Sequence, residues 1–172
     1  MRNPRPIAAA ALAFALASSG AHAMAPTVAV FNFEFLDTSL EGATNGPRAD
    51  EQAGLIRPGD ELRNRLASSG RIGIGEVGPV VEQVWASNWQ ACGGCDVRFA
   101  RELGAKFSVT GWVQKVSNLI LNVNVAVRDA DTGRLLGTKS VDMRGNTDES
   151  WSRALDWLVR NYPLAPEPGV FR

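Results

Sequence analysis

Residues 105–144, AKFSVTGWVQKVSNLILNVNVAVRDADTGRLLGTKSVDMR, decide the fold. Three of its segments, 105–116, 119–130 and 134–144, alternate apolar and polar positions and are rich in β-branched residues, which predicts three long strands. Ser117-Asn118 and Asp131-Thr132-Gly133 are short polar connections, so the strands form an antiparallel meander. In the middle strand Leu121, Val123, Val125 and Val127 share one face, while Asn122 and Asn124 share the other. One sheet face is therefore greasy and the other at least partly wet. The third segment is the most polar and is expected at the sheet edge.

Upstream, TVAVFNFEF (27–35) reads as a strand, and 36–49 as a long loop of Asp, Ser, Gly, Asn and Pro. Asp50 is placed to cap a helix beginning at Glu51, which Pro58-Gly59 should interrupt and Asp60 restart, through Leu62, Leu66 and Ala67, until Gly70 stops it. A short strand over 71–77 and a helix over 79–87, with Val80, Val81, Val84 and Trp85 along one face, come next. A helix over 96–103 ends at Gly104. After the meander, Asn146 and Glu149 resemble a capping box opening a last helix with Trp151, Leu155, Leu158 and Val159 on its apolar face. The order is β-α-β-α-α-β-β-β-α. It predicts one α/β domain of α+β character over 24–162, with a mixed sheet of about five strands and an antiparallel C-terminal meander. Pro163, Pro166 and Pro168 mark 163–172 as a flexible tail.

The chain's start has a different purpose. Arg2 and Arg5, then the apolar stretch 7–17, then Ala21-His22-Ala23, have the layout of a cleaved secretory signal over 1–23. The apolar stretch is well short of the roughly 20 residues a spanning helix needs. The expected compartment is the periplasm, with no membrane anchor after cleavage. Without Arg2 and Arg5 the mature part has 16 basic and 18 acidic residues, a net charge of −2. Its basic residues are scattered, which argues against a nucleic-acid partner. The sole histidine, His22, leaves with the signal, and Ser-His-Asp, Cys-His and His-based acid–base chemistry leave with it. No G-x-S-x-G or S-x-x-K motif supplies a hydrolase.

The stretches VAVFNFEFLDTSLEG, GPRADEQ, LRNRLASSGR, CGGCDVRFARELGA and GAKFSVTGWVQKVSNLILNVNVAVRDADTGRLLGTKSVDMRGNTDESW carry a resemblance over nearly all of residues 27–161. Together they resemble a bacterial secreted family known as a domain of unknown function. More distantly, the strand VAVFNF, the helix ending LASSG, the step LGAKFSVTGWV and the hairpin VRDADTGRLL are similar to the amino-terminal domain of the translocation protein TolB and to the periplasmic part of the curli secretion lipoprotein CsgG. The distant resemblance implies an envelope protein that works by contact with other proteins. The chain lacks the lipid-attachment cysteine of the CsgG pattern, so anchoring and pore formation are not implied.

Cys92-Gly-Gly-Cys95 is the sharpest local motif. Two thiols two residues apart at the start of a predicted helix match redox sites in which a helix N-terminus stabilises a thiolate. In an oxidising compartment the same pair serves as a staple for the loop before Asp96. The position between two helices and the two central glycines favour the staple. Two Cys without His leave a zinc site under-liganded, so no metal is expected. Gly73, Gly75 and Gly78 fit G-x-G-x-x-G, but a helix ends just before them instead of a strand, so no nucleotide cofactor is expected. Glu34, Asp37, Glu41, Asp50 and Glu51 surround the first loop without the spacing of a calcium site and read as a solvated surface.

Trp85 and Trp89 flank the Cys loop and are read either as core or as exposed anchors of an interface. Trp112 shares a strand face with Lys106 and Gln114, and Trp157 lies off the apolar stripe of the last helix. The candidate binding surface comprises Trp85 and Trp89 with Thr138 and Ser140 on the edge segment, which suits a partner strand. The expected function is that of a non-catalytic periplasmic accessory whose partner is an envelope protein. A thiol–disulfide protein using Cys92 and Cys95 is the alternative.

Overall fold

The alternation of β1 (Thr27–Asp37) breaks once, and that break decides which side chains reach the core. The computed structural model describes residues 27–161 apart from 47, 50, 52, 53 and 71; the signal segment, the Asp50 cap and the tail over 163–172 lie outside the described residues. Val30 pairs with Val109, but Phe33 pairs with Gly111, so β1 carries one extra residue. This bulge flips the later side chains. Phe33 and Phe35 join Val28 and Val30 on one sheet face, and Glu34 and Leu36 turn to the other.

Five strands form one mixed sheet in the order β2-β1-β3-β4-β5. The others are β2 (Gly73–Ile74), β3 (Phe107–Ser117), β4 (Ile120–Asp129) and β5 (Leu135–Arg144). β1 runs parallel to β2 and β3, while β3, β4 and β5 are the predicted antiparallel meander, with β5 on the edge. The strand expected over 71–77 contracts to two paired residues, as glycines at 73 and 75 weaken a ladder and Pro79 soon follows.

The helices are α1 (Leu40–Asn45), α2 (Ile56–Ser68), α3 (Val81–Trp85), α4 (Cys95–Glu102) and α5 (Asp148–Asn161), with a 3-10 turn at Gly78–Val80 leading into α3. Three expectations need correction. The loop over 36–49 contains α1, because the Ser39 side chain accepts the Gly42 N–H and caps it. Pro58 does not interrupt α2. It sits in the first turn, where backbone N–H groups have no helical partner and the missing donor costs nothing. Finally, α5 is capped by Thr147, whose Oγ1 accepts the Ser150 N–H at 3.2 Å, while Asn146 accepts the Trp151 indole N–H at 2.7 Å.

α2 and α5 cover the first sheet face. Leu62 and Leu66 from α2, and Trp151, Leu155 and Leu158 from α5, pack on Val28, Val30, Phe33, Val109, Val123 and Val125. Glu61 ties the two helices, accepting from Arg65 at 2.7 Å and from the Ser152 hydroxyl at 2.5 Å. α3 and α4 cover only the start of the second face, where Val80, Val84, Phe99 and Ala100 enclose Ala29, Phe31, Ala105 and Ala130. The rest of that face has no helix above it among the described residues.

Candidate functional site

Paired residues in neighbouring strands put their side chains on one side of the sheet. Glu34 pairs with Trp112, Trp112 with Asn124, and Asn124 with Ser140. The four side chains make a row across β1, β3, β4 and β5 on the partly uncovered face. Leu36, Gln114, Asn122 and Asp142 make the next row. Ser140 and Asn124 are hydrogen-bonded, and Asn122 donates to Asp142 at 2.7 Å. Asn124, expected to be exposed, is buried at 7% exposure because Ser140 and its neighbours close over it. Thr138, Ser140 and Asp142 remain exposed.

At the β1 end, the row opens into a cleft of about 350 Å³. Trp85, Trp89 and Trp112 line it, with Glu34, Leu36 and Leu55. The two tryptophans beside the Cys loop behave differently. Trp89 is framework: its ring packs 5.3 Å from Phe31 and 6.3 Å from Phe99, and its indole N–H donates to the Asn32 carbonyl at 3.1 Å. Trp85 is 53% exposed at the end of α3. Glu34 accepts the Trp89 backbone N–H. Burial among these rings pushes the Glu34 carboxyl up, against the opposing effect of backbone hydrogen bonds from Trp89 and Gln90. Glu34 in this position was not legible from alternation, which puts it beside Val28 and Val30; only the bulge moves it.

The Cys loop forms the neighbouring hollow. Cys92 and Cys95 are joined as a disulfide, with Cα atoms 5.5 Å apart. Gly93 and Gly94 both have positive φ, 65° and 94°, which glycine adopts without steric cost. The Cys95 N–H, at the start of α4, donates to the Cys92 sulfur at 3.3 Å, and Arg98 lines the same hollow. Asp96 is buried, accepts the Ser108 hydroxyl and lies 3.6 Å from Arg128. Gly73 and Gly75 lie in and after β2 beside β1, and no helix follows Gly75 directly.

Asp37, Glu41 and Glu51 of the first loop are not a solvated surface, and Asp50 lies outside the described residues. Lys115, 2% exposed at the end of β3, holds Glu51 at 2.7 Å, Glu41 at 3.2 Å and Asp37 at 3.8 Å. The hydrogen bond to Glu51, reinforced by Glu41 and opposed by burial, raises the Lys115 ammonium. Burial pushes Asp37 up, but hydrogen bonds from Ser39 and the charge of Lys115 outweigh it and hold Asp37 low. Hydrogen bonds from Lys115 and Asn118 lower Glu41. Four groups separated in sequence thus strap the first loop to the end of the sheet.

Thr138, Ser140, Trp85 and Trp89 therefore all belong to the second sheet face or its rim. Trp112, Glu34 and Asp142 join them there. Trp157 is 43% exposed on α5, on the opposite side of the sheet.

No curated protein matches the chain in sequence. Among solved structures, the C-terminal domain of LpoB from Salmonella enterica is 14% identical with a TM-score of 0.50, over 73% of this chain and 87% of that one. PelC from Paraburkholderia phytofirmans, solved as a dodecamer, is 13% identical with a TM-score of 0.49, over 83% of this chain and 89% of that one. TolB from Acinetobacter baumannii is 13% identical with a TM-score of 0.38, over 81% of this chain and 29% of that one. At such identities the likeness to LpoB is one of fold. The family match is more direct: a model described as "Protein of unknown function (DUF2380)" matches residues 26–162, and the chain belongs to that family.

Proposed function

We propose that the chain is a non-catalytic accessory protein of the bacterial envelope, placed in the periplasm after removal of 1–23, that works by binding another envelope protein. One observation carries the reading: among the described residues the second sheet face is closed by helices at its start only, leaving an aromatic and polar platform that runs to the ten-residue edge strand β5. An open strand edge offers backbone donors and acceptors to a partner, and a platform beside it supplies side-chain specificity. The fold shared with the LpoB domain and the signal-like start fit this setting.

The test is a charged substitution at the exposed positions of β5. Thr138→Arg keeps the circular dichroism and the unfolding midpoint of the wild type and loses the envelope protein that co-purifies with it. Folded variants that retain that protein contradict the reading.

A second reading, thiol–disulfide exchange, has one specific observation in its favour: the hydrogen bond from the Cys95 N–H to the Cys92 sulfur, a contact that stabilises a thiolate. The reduction potential separates the two. A structural staple lies below about −300 mV, and an exchanging pair lies at roughly −120 to −270 mV.

A further inference from the structure

The cleft between β1, β3 and α3 has the chemistry of a receptor for a single positive charge. Glu34 is the only charged residue lining it among the described residues, and it stands among the rings of Trp85, Trp89 and Trp112. The two sheet rows beside it, Glu34–Trp112–Asn124–Ser140 and Leu36–Gln114–Asn122–Asp142, add a second carboxylate and no basic side chain. Trp89 is locked by its contacts with Phe31, Phe99 and Asn32, so the cleft is already shaped before anything enters. Among the described residues Glu34, in this partly apolar, aromatic recess, has no counter-ion to offset its desolvation, and indole faces attract cations.

We propose that this cleft receives a lysine side chain of the partner protein, its methylenes against Trp85 and Trp112 and its ammonium on Glu34. The inference rests on the protein-binding reading above and names the anchor residue of that contact. A lysine suits the recess better than a neutral sugar, because the polar groups beside it, Asn122, Asn124, Ser140 and Asp142, already satisfy one another. The raised Glu34 carboxyl agrees with a desolvated acid that has backbone hydrogen bonds and no cation beside it among the described residues, and pairing with an ammonium would lower it again.

The experiment titrates the mature protein with Nα-acetyl-lysine methylamide, following the indole N–H signals in ¹H–¹⁵N spectra, with Nα-acetyl-norleucine methylamide and N-acetylglucosamine as comparison probes at equal ionic strength. The lysine probe is expected to shift the Trp85 and Trp112 signals saturably at millimolar concentrations, and the norleucine probe to bind at least about tenfold more weakly. Glu34→Gln keeps an oxygen for the Trp89 N–H and should weaken the lysine probe by at least about tenfold. Trp85→Ala, at an exposed position, should weaken it without disturbing the fold. Equal binding of lysine and norleucine probes, unchanged binding in Glu34→Gln, or a response to N-acetylglucosamine alone overturns the proposal. If partner capture remains sensitive to Thr138→Arg while the lysine probe fails to bind, the anchor is wrong and the protein-binding reading stands.

Discussion

Lys115 shows how one residue organises a segment. It is the buried cation of a cluster in which Asp37, Glu41 and Glu51 contribute carboxylates from a stretch with little apolar content of its own. Lys115→Met removes the charge and keeps the bulk, leaving Asp37 and Glu51 without the ammonium they share, while Glu41 keeps Arg48; breaking a buried pair in this way costs about 3–5 kcal/mol. The pH dependence should change sign with it. In the wild type, Asp37 and Glu41 are held below their ordinary values, so their contribution is present above those values and fades as pH falls through the lowered ones. Lys115 is raised, so its contribution is complete below its ordinary value and is lost only as pH rises through the higher one. Lys115→Met should instead gain stability on acidification from about pH 7 to about pH 5, as the carboxylates that have lost Lys115 take up protons. Urea unfolding at those two pH values checks this; a variant as insensitive as the wild type over that range, or one that weakens on acidification, contradicts the cluster's role. Gly111 is the second decisive residue. A Cβ there would lie 2.3 Å from the Phe33 ring, so Gly111→Ala should cost about 1–3 kcal/mol in the same measurement.

At the scale of elements, α5 seals the first sheet face through Leu155 and Leu158, both fully buried. Leu155→Ala should lower the unfolding free energy by about 2–5 kcal/mol, measured by denaturant titration; a loss under about 1 kcal/mol would show that α5 is peripheral. The meander, the edge position of β5, the apolar stripe of α5 and the element order were legible because they rest on period-2 and period-3.6 patterns maintained over ten or more residues. Pro58 misled because its effect depends on where a helix begins, and α2 begins at Ile56 without a side-chain cap. α1 was hidden in a polar stretch whose helix rests on one Ser39 hydrogen bond. The site was half legible. Thr138 and Ser140 were visible as edge residues, whereas Trp85 and Trp89 read either as core or as anchors, and Glu34 needed the bulge at Val30/Phe33, which no local pattern announces. The Lys115 cluster joins residues 64 to 78 positions apart, beyond the reach of any sequence window.

On the scale of the whole molecule, one sheet separates two environments. One face is sealed by α2 and α5 and supplies the stability. The other is covered at its start by α3, α4 and the Cys92–Cys95 loop, then opens into the cleft at Glu34 and the platform leading to β5. The two faces predict different consequences of mutation: changes on the first should unfold the chain, and changes on the second should leave it folded and cost it its partner. The most direct measurement is site-specific photocrosslinking in whole cells, with p-benzoylphenylalanine at Thr138 on β5 in one protein and at Arg153 on α5 in another, both exposed positions. The account predicts a discrete adduct with an envelope protein from position 138, none from position 153, and loss of the 138 adduct on adding Glu34→Gln. Adducts from 153 alone, or equally from both positions, would contradict it.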